Sequence, residues 1–95
     1  MRILGIDPGY AILGYGVLDK IGNKFVTVTY GSITTDSKME MPERLVALYD
    51  GLTEIIQTYK PDDASIEELF FNTNITTGIQ VAHGRGVILL ACTKY

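Results

Sequence analysis

The sequence predicts an α/β domain built on a mixed four-stranded sheet in the order three-two-one-four. Three observations carry this. The first third of the chain is a series of short apolar and β-branched runs separated by turn residues. The pattern then changes period, to a single apolar stripe at helical spacing. A brief strand follows the stripe, and a strand, a crossover helix and a second strand normally form a parallel pair joined right-handedly. At 95 residues the chain has room for one hydrophobic core.

Arg2-Ile3-Leu4-Gly5-Ile6-Asp7 is an apolar run ending in a carboxylate, and Pro8-Gly9 turns the chain after it. Ile12–Leu18 resumes as a second strand, whose Gly14 and Gly16 suggest a bulge or a close backbone approach. Ile21-Gly22-Asn23 makes a turn. Lys24 to Thr34, rich in Val, Thr, Tyr and Phe, completes an antiparallel meander. Pro42-Glu43 opens a helix, with Pro at an early position and an acid at the positive end of the dipole. Leu45, Leu48, Tyr49, Leu52, Ile55, Ile56 and Tyr59 form its apolar stripe, and Lys60-Pro61 ends it. Asp63–Glu67 is the fourth strand. A second helix is expected from Thr76 or Thr77, either of which could cap it, through Ile79, Ala82, Val87, Leu90 and Ala91.

The crossover leaves the third strand, so the fourth must find a free edge, and the first strand offers one. The first and fourth strands then lie side by side and parallel. The last helix runs to Tyr95 without a Gly or Pro stop, and the fourth strand is left as an uncovered parallel edge, which natural proteins normally cover. The chain is therefore expected to be part of a larger domain, weakly stable alone and prone to oligomers or swapped dimers. The alternative is a small domain whose edge pairs with a second copy.

Composition excludes several classes. A hydrophobic fraction of 46% with 20% charged residues is globular, not disordered. One cysteine, Cys92, removes any disulfide framework or Cys-rich zinc site. No run of about eighteen apolar residues could cross a membrane, and Met1–Asp7 reaches a carboxylate too early for a signal peptide. A cytoplasmic location fits. The net charge of −3, with scattered Lys and Arg, counts against a complete nucleic-acid-binding protein.

Asp7 and Glu67 are the candidate chemistry. Each ends a strand, where a carboxylate adds nothing to core packing and costs desolvation unless satisfied. If those strands are parallel neighbours, a spacing of about 4.8 Å brings both side chains within reach of one ion. Like charges that close call for a cation between them, and Mg²⁺ suits hard oxygen ligands. Against this, Asp7 could serve only as an Asx-turn residue. Glu68 points to the other strand face and reads as a solvated carboxylate. Phe70 and Phe71 cannot both face one core on an extended backbone; one could stack on a base, or both could fold under the last helix. His83 has no ligand partner at helical spacing. Gly84 and Gly86 each cost about 1 kcal/mol in a helix, and the face shared by Ala82 and Gly86 is a candidate packing contact.

Met1–Gly9, Gly14-Tyr15-Gly16-Val17, Pro42-Glu43-Arg44-Leu45, Ile66-Glu67-Glu68-Leu69-Phe70-Phe71-Asn72 and Gly84-Arg85-Gly86-Val87 together resemble the RuvC family, the bacterial Holliday junction resolvases. The resemblance runs through the whole chain in register, and the block around Glu67 is its most specific part. It implies a ribonuclease H-like fold and a homodimeric endonuclease that makes paired symmetric nicks across four-way junction DNA. It also implies two Mg²⁺ ions, with Mn²⁺ as a substitute, and branch-migration proteins as partners. The family's catalytic, metal-holding carboxylates carry onto Asp7 and Glu67, and its base-stacking aromatic carries onto Phe70. The DNA-binding set implied is Phe70, Phe71, Asn72, Asn74 and Arg85.

The chain departs from the family in three respects. The family's other two catalytic acids lie in a C-terminal helix beyond residue 95, so low or no activity is expected of these residues alone. Ala82-His83-Gly84-Arg85-Gly86 stands where Gly-Gln-Ala-Arg-Gly is common, and Thr73 where lysine is frequent. Two other readings stay open. Gly5-Ile6-Asp7-Pro8-Gly9 also resembles the first phosphate loop of actin-like and sugar-kinase ATPases, and the chain could be a non-catalytic remnant.

Overall fold

The computed structural model describes residues 1–8, 12–67 and 75–95, with side chains in the last helix from Ala82 onward. The elements are β1 (Arg2–Asp7), β2 (Ile12–Ile21), β3 (Lys24–Thr34), α1 (Met41–Tyr59), β4 (Asp63–Ile66) and α2 (Ile75–Lys94). The sheet order is β3-β2-β1-β4, with β1 antiparallel to β2 and parallel to β4, as the strand-crossover argument requires. The β2–β3 hairpin turns on Gly22-Asn23, where Gly22 takes a φ of +62°. Glycine reaches that left-handed region without steric penalty, which is what the first central position of a two-residue hairpin turn demands. The bulge suggested by the glycines of β2 lies farther along, where the register shifts between Val17 and Leu18.

Alternation decides the faces of the sheet. Leu4 and Ile6 of β1, and Leu13 and Val17 of β2, point to one side and are buried. There they meet Leu48, Leu52, Ile55 and Ile56 of α1 and Ile88 and Ala91 of α2. One face of the sheet therefore carries both helices, and the other carries Gly5, Asp7, Gly14, Gly16 and Ser65. Helix α1 starts at Met41 with Pro42 in its first turn, and stops where Lys60 adopts a left-handed conformation and its N–H donates to the Ile56 carbonyl at 2.8 Å.

Two sequence expectations about α2 change. The helix begins at Ile75, so Thr76 and Thr77 lie inside its first turn and not at the cap. The contact face is also not the one shared by Ala82 and Gly86. Both are exposed, and a Cβ added at Gly86 would meet nothing within 4 Å. Gly84 is buried instead, in line with Ile88 and Ala91 at helical spacing, so the close approach to the core is made two positions away.

Arg2 locks the end of the sheet remote from Asp7. Its Nε and Nη2 bind the two carboxylate oxygens of Asp19 at 2.8 and 3.1 Å, and its Nη1 donates to the Tyr59 carbonyl at the C-terminal end of α1. The hydrogen bond from Arg2, ahead of its charge, holds the Asp19 carboxyl below its ordinary value of 3.8. A depressed folded-state pKa stabilises the fold fully above the unfolded value, and that contribution is lost as pH falls through the folded one. Urea unfolding between pH 5 and pH 2 should therefore show stability falling below about pH 4, with a shallower fall in Arg2→Gln. Equal slopes in the two proteins would remove this pair from the acid response.

Candidate functional site

The parallel ladder between β1 and β4 is tied at both ends. The Asp62 N–H donates to the Arg2 carbonyl at 2.8 Å, and the Glu67 N–H donates to the Ile6 carbonyl at 3.1 Å. Ile6 pairs with Ile66, so Asp7 and Glu67 are the next residues on the two strands. Ile6 faces the core, and alternation along β1 sends Asp7 to the opposite face, which carries neither of the described helices; Asp7 is exposed there, and Glu67, one residue past β4, is exposed as well. Two exposed acids thus follow the Ile6–Ile66 pair of two neighbouring parallel strands, at the C-terminal edge where open α/β sheets bind ligands.

Among the described residues, a glycine stands beside Asp7. Gly14 is the cross-strand partner of Asp7. A Cβ on Gly14 would lie 3.5 Å from the Asp7 Cβ and 4.0 Å from its Oδ2, so any side chain there would stand beside the carboxylate. On the other flank, Arg85 of α2 reaches the end of β4, and its Nη1 donates to the Glu67 main-chain carbonyl at 2.9 Å.

The donor set fits a hard divalent cation. Both ligands are carboxylate oxygens, and no side chain at Gly14 blocks them. Among the described residues no group of three or more His, Cys, Asp or Glu gathers into a metal site. Two carboxylates would supply only part of the shell of a hard divalent cation, the remainder coming from waters or from other groups.

A groove lined by Leu4, Ile56, Ala64, Ile66, Leu89 and Cys92 lies on the helix side of the sheet. Its acids, Asp62 and Asp63, are used on backbone N–H groups of Arg2 and Ala64. Burial raises the Cys92 thiol above its usual value, which keeps it protonated and poorly nucleophilic at neutral pH.

The sequence-predicted residues divide accordingly. Asp7 and Glu67 each stand one residue past the Ile6–Ile66 pair, at the C-terminal edge of the two parallel strands. Phe70, Phe71, Asn72 and Asn74 lie outside the described residues, as does Glu68. Arg85 sits beside Glu67, bonded to its backbone. His83 is exposed on α2. The sequence reading missed Gly14 as the neighbour of Asp7. An unusual glycine within a strand was visible, but the cross-strand register that gives it meaning was not.

The comparisons with known proteins show the family and the fold. The family described as "Crossover junction endodeoxyribonuclease RuvC" matches residues 3–95. The crossover junction endodeoxyribonuclease RuvC of Alkaliphilus metalliredigens is 58% identical over 91 residues, covering 96% of this chain and 56% of the relative. That of Alkaliphilus oremlandii is 54% identical over 95 residues, covering 100% of this chain and 58% of the relative. The chain thus spans little more than half the length of these relatives. The structure of T. thermophilus RuvC in complex with a Holliday junction substrate superposes with a TM-score of 0.92 at 25% identity, over 99% of this chain and 60% of that one. The fold is ribonuclease H-like, and the chain belongs to the RuvC family.

Proposed function

We propose that these residues form the N-terminal part of a single Holliday junction endonuclease domain, with Asp7 and Glu67 as half of its metal-holding acids. What supports this is that Asp7 and Glu67, both exposed, each follow the Ile6–Ile66 pair of two adjacent parallel strands in a RuvC-family fold. Bound divalent ions would supply an activated water and neutralise charge on the leaving oxygen. Asp7 offers its carboxylate from β1 and Glu67 from the end of β4, while Gly14 leaves the approach clear for a phosphodiester. The substrate is four-way junction DNA and the product a symmetric pair of nicks, which calls for a homodimer. Phe70 and Phe71 are proposed to stack on bases near the junction centre, and Asn72 and Asn74 to contact DNA beside them. Branch-migration proteins are the proposed partners, and the cytoplasm the proposed location. Mg²⁺ is the proposed ion, two per site, with Mn²⁺ able to substitute. Family membership favours this reading over the actin-like ATPase.

The test is a chimaera in which residues 1–95 are continued by the C-terminal remainder of the A. metalliredigens relative. It should nick a four-way junction in preference to linear duplex, in Mg²⁺ or Mn²⁺, and stop on chelation. A folded chimaera that binds junctions yet leaves them intact in both metals would sink the proposal.

A further inference from the structure

We infer that Arg85 is a positioning residue for the acid pair, acting through the Glu67 backbone. This rests on the proposed metal site and adds to it the element that holds Glu67 in place. Glu67 follows directly on the last residue of β4. Its N–H is held from one side by the Ile6 carbonyl at 3.1 Å. Its carbonyl lies beyond the β1–β4 register, which ends at the Ile6–Ile66 pair. Arg85 supplies the partner with Nη1 at 2.9 Å. A donor carried on a guanidinium makes a stronger bond to that carbonyl than a neutral one would. The two peptide groups flanking the Glu67 Cα are then fastened to different elements, β1 and α2. Together they fix the direction in which its side chain leaves the backbone.

The sequence of α2 sets up this contact. Arg85, Ile88, Leu89 and Cys92 are spaced at i, i+3, i+4 and i+7, on one helical face. Ile88 is buried in the core, and Leu89 and Cys92 line the groove beside Ala64 and Ile66 of β4. Arg85 begins that stripe one turn earlier, where β4 ends. Gly84 is buried at the preceding position. Packing of α2 against the core thereby determines where the guanidinium sits, and the guanidinium determines where Glu67 sits. Groups that orient a metal ligand from behind typically change metal affinity by ten-fold or more when removed.

The chain 1–95 itself serves for the test. Mn²⁺ is titrated into ¹⁵N-labelled wild type, Arg85→Ala, Arg85→Lys and Asp7→Asn, and the broadening of the amide signals of Asp7 and Glu67 is followed. Thermal midpoints and junction affinity in chelator are measured alongside. Arg85→Ala is expected to need about ten-fold more Mn²⁺ for half-maximal broadening and to show faster exchange of the Glu67 N–H. Its affinity for junction DNA in chelator should stay unchanged. Arg85→Lys should recover part of the Mn²⁺ affinity, because an ammonium can donate to the same carbonyl without the rigid fork. Unchanged Mn²⁺ affinity in Arg85→Ala, with affinity lost in Asp7→Asn, overturns the positioning role and leaves the metal site standing. If Arg85→Ala weakens junction binding but not Mn²⁺ binding, Arg85 is a DNA contact and the inference is wrong. Broadening that survives Asp7→Asn unaltered overturns the metal reading itself. Should Arg85→Ala fail to fold, Arg85→Met decides, because it keeps the aliphatic stem and has no donor: Mn²⁺ affinity equal to wild type at a lowered thermal midpoint indicates a structural role alone.

Discussion

Asp7→Asn in the chimaera is expected to lower junction cleavage by about 10³-fold or more. Asparagine keeps the size of the side chain and removes its charge. Stabilisation of developing charge by a bound cation amounts to several kcal/mol, and each ~1.4 kcal/mol is a factor of ten in rate. Binding of the junction in chelator should persist or tighten, because a negative charge facing the phosphates has gone. Glu67→Gln should act in the same direction. The double variant should be scarcely worse than either single one, since both acids would serve one site and such effects are not additive. Single-turnover cleavage with separate gel-shift titrations checks each statement. A drop below ten-fold for Asp7→Asn would place the chemistry elsewhere in the fold.

Leu4→Ala should carry the largest stability loss. Leu4 is fully buried on β1, paired with Val17 of β2 and Ala64 of β4 at the centre of the sheet. Truncating such a leucine costs about 2–5 kcal/mol, partly through the cavity left behind. A domain of this size commands about 5–15 kcal/mol in total, so a large share would go. The urea midpoint of chain 1–95 should fall with an unchanged slope. A midpoint within experimental scatter of wild type would mean that the sheet repacks around the vacancy. The same substitution loosens the strand that presents Asp7, which couples the stability of the core to the geometry of the acid pair.

How much could be read in advance differs from element to element. The strands β1 and β3 and the helix α1 were legible because local pattern suffices for them: period-two β-branched runs, Pro42 near a helix start, Lys60-Pro61 at its end. The parallel pairing of β1 with β4 followed from chain connectivity and from the single free edge. Asp7 and Glu67 could be picked out because each is a charge at the end of an apolar strand, where packing gives it no purpose. The contact face of α2 was harder. Its small and apolar residues lie on several sides, and the choice between Gly84 and Gly86 depends on where α1 sits beside it. Arg85 was read as a DNA contact on resemblance; its bond to the Glu67 carbonyl joins residues 18 apart and follows no spacing rule.

The sequence by itself determined the element order, the sheet order and the core stripe of α1, since each rests on periodicity, turn chemistry or connectivity within short stretches of chain. Tertiary structure alone decided which glycine faces Asp7, which face of α2 enters the core, and what holds the Glu67 backbone. These depend on cross-strand register and helix rotation. Both are set by how distant side chains fill a shared volume, and a one-residue shift in either would exchange buried for exposed positions.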